Sequence, residues 1–212
     1  MYDACFCQTT HVITLDRIKH RLADHQHTEV TPKASTRQAA VAVIMRNLGQ
    51  GDEILFIKRA EKEGDPWSGH MAFPGGHRDD VDNSLRHAAE RETMEEIALD
   101  LSDAAYLGAL DHQHAQPRGR VLDMLIAPHV FEINDDPSFD PNYEVDEVVW
   151  APLQSLVSNE LHDTETLPMA GTPTIFNGYR LERGHFVWGL TYRILKTFFT
   201  TIDPDWQGPK EL

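Results

Sequence analysis

Three carboxylates, Glu92, Glu95 and Glu96, stand one helical turn apart in the run Arg91-Glu92-Thr93-Met94-Glu95-Glu96, downstream of the pair Gly75-Gly76. Positions i, i+3 and i+4 share a helix face, so the three converge on a volume small enough for oxygen ligands to hold a hard cation such as Mg2+. Like charges at this spacing destabilise a helix when nothing compensates them. At about 100° per residue, Glu92 and Glu96 fall on the stripe of Leu85, Ala88 and Ala89, the side that should face the protein. Arg91 can reach Glu95 at i+4, and its planar fork suits the orientation of carboxylates.

These residues resemble the Nudix box, written G-x5-E-x7-R-E-U-x-E-E-x-G-U with U a bulky aliphatic. With Gly76 as the first glycine, Asp82 stands where the first Glu is expected. One extra residue separates Asp82 from Arg91, Thr93 replaces an aliphatic, and Ala98 replaces the last glycine. The resemblance implies that Glu92, Glu95 and Glu96 ligate the metal, that the Gly76 carbonyl joins them and that Arg91 orients them. It implies Mg2+ as cofactor, with Mn2+ as substitute. The implied fold is α/β, a Nudix-like α/β/α sandwich around a mixed sheet.

Within that family, Phe73-Pro74-Gly75-Gly76, the acids Asp79 and Asp82, the longer spacing to Arg91 and Trp188-Gly189-Leu190-Thr191 are similar to the coenzyme A pyrophosphatase branch. The branch signature L-L-T-x-R-S-x3-R-x3-G-x3-F-P-G-G reads here as Leu55 to Ala60 followed by Gly69 to Gly76, with its second arginine missing. The only base between Ala60 and Gly69 is Lys62. The likeness spans about Ala39 to Thr197. It implies hydrolysis of a diphosphate in CoA or a CoA derivative, by water, with Glu95 or a loop acid as the base. Arg59, Lys62 and Arg118 are the candidate substrate-binding residues. Two alternatives stand beside it: the same chemistry on ADP-ribose, dinucleotides or nucleoside triphosphates, and a non-catalytic nucleotide sensor of the same fold. Loss of box carboxylates would favour the sensor, and none is lost.

Composition bounds the rest. The chain has 212 residues and a formal charge of −15, enough for one well-buried domain and opposed to gripping a nucleic-acid backbone, which needs a basic stripe. A small anionic substrate needs only a local patch, for which Lys58, Arg59, Arg78, Arg118 and Arg120 are candidates. Cys5 and Cys7 give neither a disulfide framework nor a zinc knuckle. No run reaches the length of a membrane span, and the N-terminus lacks the order of a signal peptide, so the expectation is a cytoplasmic protein. The oligomeric state is left open.

The elements that must position the carboxylates are legible as pattern. Leu15, Ile18 and Leu22 mark a leading helix, and Pro32 to Ser35 a linker, so residues 1–36 precede the body of a single domain covering 1–212. Ala39–Ile44 and Ile54–Ile57 read as a hairpin turning at Gly49 to Asp52. Glu61 to Gly69 is a polar loop beside the box. Asp82, Asn83 or Ser84 caps the box helix, which runs to about Ala98. Tyr106–Leu110, Leu122–Ile133 and Val145–Trp150 are strands, a short helix starts at Leu153, and a last helix covers about Trp188 to Thr201. Residues 158–185 read as an irregular, turn-rich insertion. His112 and His114 lie in a loop that a pocket could use, although a lone histidine is more often structural. Glu144, Asp146 and Glu147 form a solvated strand entrance from which a loop carboxylate could come.

Overall fold

A computed structural model of the chain describes residues 13–64, 67–115, 122–169 and 171–211. Helix α1 (Leu15–Asp24) starts where the Thr14 hydroxyl accepts the Arg17 N–H, and it buries Ile18 and Leu22. Strands β1 (Arg37–Asn47) and β2 (Asp52–Arg59) form the expected antiparallel hairpin, joined through Gly49 and Gly51, both at positive φ. Next come β3 (Met71–Ala72), β4 (Gly75–His77), α2 (Leu85–Ile97), β5 (Ala105–Ala109), β6 (Gln113–His114), β7 (Met124–Ile133), β8 (Val145–Pro152) and α3 (Leu153–Val157). The chain closes with β9 (His162–Met169), β10 (Thr172–Arg180), β11 (Phe186–Trp188) and α4 (Gly189–Ile202).

Eight strands form one mixed sheet in the order β3-β2-β1-β7-β5, with β4 on β1, β6 on β7 and β8 on β2. The β1–β7 pair is parallel, from Arg37↔Met124 to Arg46↔Ile133. Strands β1 and β2 pair only next to their turn, at Met45 to Asn47, and then splay. Into the gap runs the segment Met71 to His77: β3 pairs β2, β4 pairs β1, and the Pro74 carbonyl accepts the Ala42 N–H at 2.8 Å. The Gly-Gly turn is thus held on both sides by the sheet.

Alternation along β1 divides the core in two. Val43 and Met45 face α1, α3 and α4, where Tyr179, Phe56, Phe198 and Phe199 are buried. Ala40, Ala42 and Ile44 face α2, which presents Ala88, Ala89 and Ile97. The helices on both faces of the sheet make an α/β/α sandwich, as the resemblance implied. Alanines at 40, 42, 88 and 89 let α2 lie close to the sheet, since a helix can approach only as far as the contacting side chains allow. That closeness brings its carboxylates against β4. Among the described residues, no helix is long and apolar enough to cross a membrane.

One expectation is corrected. Residues 158–185 are not an irregular insertion: β9 and β10 pair antiparallel over their full lengths, and β11 completes a second, three-stranded sheet. Their residues are too polar to read as half-buried strands. The ladder is held by backbone pairing and by Arg180, which bonds Asp163 at 3.0 Å and Glu165 at 2.6 Å. Thr164, Thr166, Thr172 and Thr174, β-branched at alternate positions around a Gly171 turn, were the available signal.

Candidate active site

Ser84 caps α2, its hydroxyl accepting the His87 N–H at 3.0 Å, so Asp82 is left for another task. The side chain of Asp82 is fully buried and accepts the Asp79 N–H at 2.8 Å. It also receives two bonds at 3.0 Å from the Arg91 guanidinium, from Nε and Nη2. The same guanidinium reaches the His77 carbonyl at 2.9 Å, Glu92 at 3.0 Å and Glu95 at 3.1 Å. Arg91 therefore ties the turn before the helix to two of its carboxylates. The bond to Arg91 holds the Asp82 carboxyl below the usual range, and Asp82 in turn raises Arg91. Sequence reasoning placed Asp82 in the box and among three candidate caps of the helix; the buried fork makes it instead the anchor of Arg91.

Glu96 is 2% exposed and accepts the Gly75 N–H at 2.8 Å. Burial pushes its pKa up to about 8, with the neighbouring Glu92 adding to the shift and Arg59 opposing it. Burial also raises Glu92. A Cβ on Gly76 would stand 2.6 Å from the Glu92 Oε1, so this glycine is what lets the carboxyl group lie on the turn. Glu95 is the exposed member, with 56% of its side chain accessible, and it faces Arg91. The three glutamates share one region without meeting at a point: among the described residues, no three His, Cys, Asp or Glu groups are gathered to hold a metal. The donor set still fits a hard cation, because two carboxylates are desolvated side by side, an arrangement that favours their charged forms only when a positive charge is added.

The other sequence candidates divide. Arg59 lies close enough to Glu96 to lower its pKa. Lys62 is exposed in the 61–69 loop, its backbone N–H bonded to the Ser68 hydroxyl at 2.8 Å. Arg118 and Arg120 lie outside the described residues, as do Cys5 and Cys7. Lys58 is bonded to Asp146 at 2.5 Å, and Glu147 is paired with Arg183 and His185. Asp146 and Glu147 lie within β8 rather than at its entrance, and the charge of Glu144, just ahead of the strand, acts on Glu96. His112 has a structural use: its Nδ1 accepts the Val30 N–H at 3.2 Å and its backbone N–H donates to the Thr28 carbonyl, fastening the segment after α1. The His114 carbonyl accepts from Arg193 at 2.6 Å.

The arginine fork yields a prediction. Arg91→Lys keeps the charge but cannot span Asp82, His77, Glu92 and Glu95 together. A buried acceptor left short of partners costs about 1–3 kcal/mol, and losing the orientation of ligating carboxylates costs about 10- to 100-fold in metal affinity. Urea unfolding and Mn2+ titration of Arg91→Lys should show both losses; unchanged values in both would make Arg91 an ordinary surface partner.

A family model described as the NUDIX domain matches residues 36–169. An uncharacterised protein of Schizosaccharomyces pombe is 35% identical over 151 residues, 62% of this chain and 46% of that protein. The chain therefore spans less than half the length of that relative. The mitochondrial coenzyme A diphosphatase NUDT8 of Homo sapiens is 27% identical over 179 residues, 84% of this chain and 75% of that protein. Among solved structures, a MutT/nudix family protein from Enterococcus faecalis superposes with a TM-score of 0.52 at 16% identity, covering 91% of this chain and 76% of that one. That last likeness is one of fold.

Proposed function

Because the chain belongs to the NUDIX domain family, we propose that it is a Mg2+-dependent hydrolase of the diphosphate bond in a nucleotide conjugate, with coenzyme A or a CoA derivative as substrate. The observation that carries this reading is the pair of desolvated carboxylates, Glu92 and Glu96, laid against the Gly75-Gly76 turn, with Glu96 bonded to the Gly75 N–H and Glu92 to the Arg91 fork. Glu92, Glu95 and Glu96, with the Gly76 carbonyl, would hold Mg2+, or Mn2+ in its place. Such an ion supplies positive charge against the diphosphate oxygens and makes water more acidic. Arg91 sets the directions of Glu92 and Glu95. Arg59, beside Glu96, and Lys62, on the adjoining loop, supply the further positive charge that a phosphate chain requires. Glu95 or Glu144 accepts the proton of the attacking water, since Asp146 and Glu147 are committed to bases elsewhere. In this reading residues 1–212 are one domain acting in the cytoplasm.

The CoA assignment draws on segments that resemble the branch and meet in the fold. The Thr191 hydroxyl donates to the Met71 carbonyl at 3.1 Å, and Trp188 packs edge-on to His70 at 4.7 Å, so Trp188 to Thr191 brace the strand that leads into Phe73 to Gly76. The human relative's name, a CoA diphosphatase, agrees with this reading. The missing arginine between Ala60 and Gly69 is what favours the alternative, an ADP-ribose, dinucleotide or nucleoside triphosphate substrate.

Purified protein with Mg2+, offered CoA, acyl-CoA, ADP-ribose, NADH and diadenosine polyphosphates, should convert CoA or acyl-CoA into a phosphopantetheine and an adenosine bisphosphate, read by mass spectrometry. Efficient cleavage of ADP-ribose or a dinucleotide without CoA turnover would overturn the substrate and keep the chemistry.

A further inference from the structure

The C-terminal end of α2 is held by a distant part of the chain. A helix leaves its last four carbonyls without helical partners. Here Met94 O is taken by the N–H of Ala98, which turns left-handed at φ 56 in the position of the family's glycine. The other three go to one segment far downstream. Ile97 O accepts the Asp140 N–H at 3.2 Å, Glu96 O accepts the Asn142 N–H at 2.9 Å, and Glu95 O accepts the Asn142 side-chain Nδ2 at 2.9 Å. The carbonyls of the two glutamates that end the carboxylate run are both bonded to a single residue.

Asn142 is also bonded forward. Its Oδ1 accepts the Glu144 N–H at 2.8 Å and its carbonyl accepts the Val145 N–H at 3.2 Å. The Glu144 carbonyl accepts the Ala60 N–H at 2.8 Å, next to Arg59. One asparagine thus couples the backbone of Glu95 and Glu96 to the turn carrying Glu144 and, through it, to the end of β2. An asparagine suits the place because one side chain supplies both a donor and an acceptor. Side-chain bonds of this kind set turns locally, but this one spans two elements.

On the reading that this helix holds the catalytic metal, we infer that Asn142 is a positioning residue: its clamp on the Glu95 and Glu96 carbonyls fixes where the two carboxylates present their oxygens. Groups that orient metal ligands without touching the metal alter affinity by about 10- to 100-fold when removed. A residue serving stability alone would leave the affinity of the folded protein unchanged.

The test is Mn2+ affinity of the full chain, read from the free-ion EPR signal well below the unfolding temperature, alongside kcat, KM and Tm. Asn142→Ala removes both side-chain bonds. Asn142→Asp keeps the acceptor for the Glu144 N–H, so the turn survives, and replaces the donor to Glu95 O with a carboxylate oxygen that repels it. Both variants should bind Mn2+ about tenfold more weakly, with kcat lowered at subsaturating metal, recovered at excess metal, and KM for the nucleotide within about twofold. Wild-type affinity in Asn142→Ala, or full restoration in Asn142→Asp, would overturn the inference. A wild-type chain that binds Mn2+ and hydrolyses no diphosphate would sink the hydrolase reading, while the affinity comparison still decides the role of Asn142. A wild-type chain that takes up no Mn2+ would overturn both.

Discussion

Glu96→Gln should lower turnover by about two to four decades while leaving the chain folded, the loss of about 3–5 kcal/mol of transition-state stabilisation expected when a charged ligand is neutralised without change of shape. The structure adds a second, separable expectation. Glu96 is buried with its pKa pushed up to about 8 from an ordinary 4.5, so between those values the folded state keeps a proton that the unfolded state has released. The state that binds more protons is weakened as pH rises, so stability without metal should fall as pH climbs from about 5 to about 8. A glutamine resembles the protonated acid, can still accept the Gly75 N–H, and cannot titrate. Urea unfolding in EDTA at pH 5.5 and pH 8 should therefore show a steeper decline in the wild type than in Glu96→Gln, where Glu92 is the raised carboxylate of the pair that still titrates, and Mg2+ should diminish it. Near-wild-type turnover in Glu96→Gln would remove Glu96 from the metal site. A flat wild-type profile would instead show that its burial carries no charge penalty.

The second large effect separates two adjacent glycines. A Cβ on Gly76 would meet the carboxyl group of Glu92, the far end of a flexible side chain, whereas a Cβ on Gly75 would meet the Ala40 carbonyl and stand 2.6 Å from the Val41 Cα. Gly75 is also at φ 148, where side chains are strained. Gly76→Ala should therefore fold, with Glu92 displaced and activity down by about two decades or more, as for a lost ligand. Gly75→Ala must move the sheet backbone. It should cost about 2–5 kcal/mol by adding the overpacking and dihedral penalties, and so lower Tm markedly. Circular dichroism melts with a turnover assay on both variants check this. Equal Tm losses, or an active Gly76→Ala, would contradict the described packing of Glu92 on the turn.

How legible was this arrangement beforehand? The i, i+3, i+4 spacing was enough to put Glu92 and Glu96 on the inward stripe with Ala88 and Ala89, and the buried Glu96 agrees with it. Helices α1 and α4 were also readable from the helical repeat that burial of one face leaves, and the β1–β2 hairpin and β7 as continuous apolar runs, because these strands are buried on both faces. The meander of β9 and β10 was not. Its pairing is carried by backbone bonds and by Arg180 reaching two acids, and neither leaves an apolar alternation. The cap of α2 was open among three residues because Asp82, Asn83 and Ser84 are all competent. Only the position of Arg91 assigns Asp82 to the fork and leaves Ser84 to the helix.

The chemistry available to this protein is local in the chain and set by helical geometry: a cluster of carboxylates on one helix face, a glycine pair before it and an arginine within reach. How strongly each group is perturbed, and what holds it, comes from segments packed together in the fold. Desolvation of Glu96 depends on alanines from β1 lying under α2, and the last turn of that helix depends on Asp140 and Asn142, more than forty residues downstream. Burial and long-range hydrogen bonds arise from contacts between segments distant in sequence, and such contacts leave no repeat in the residues on either side.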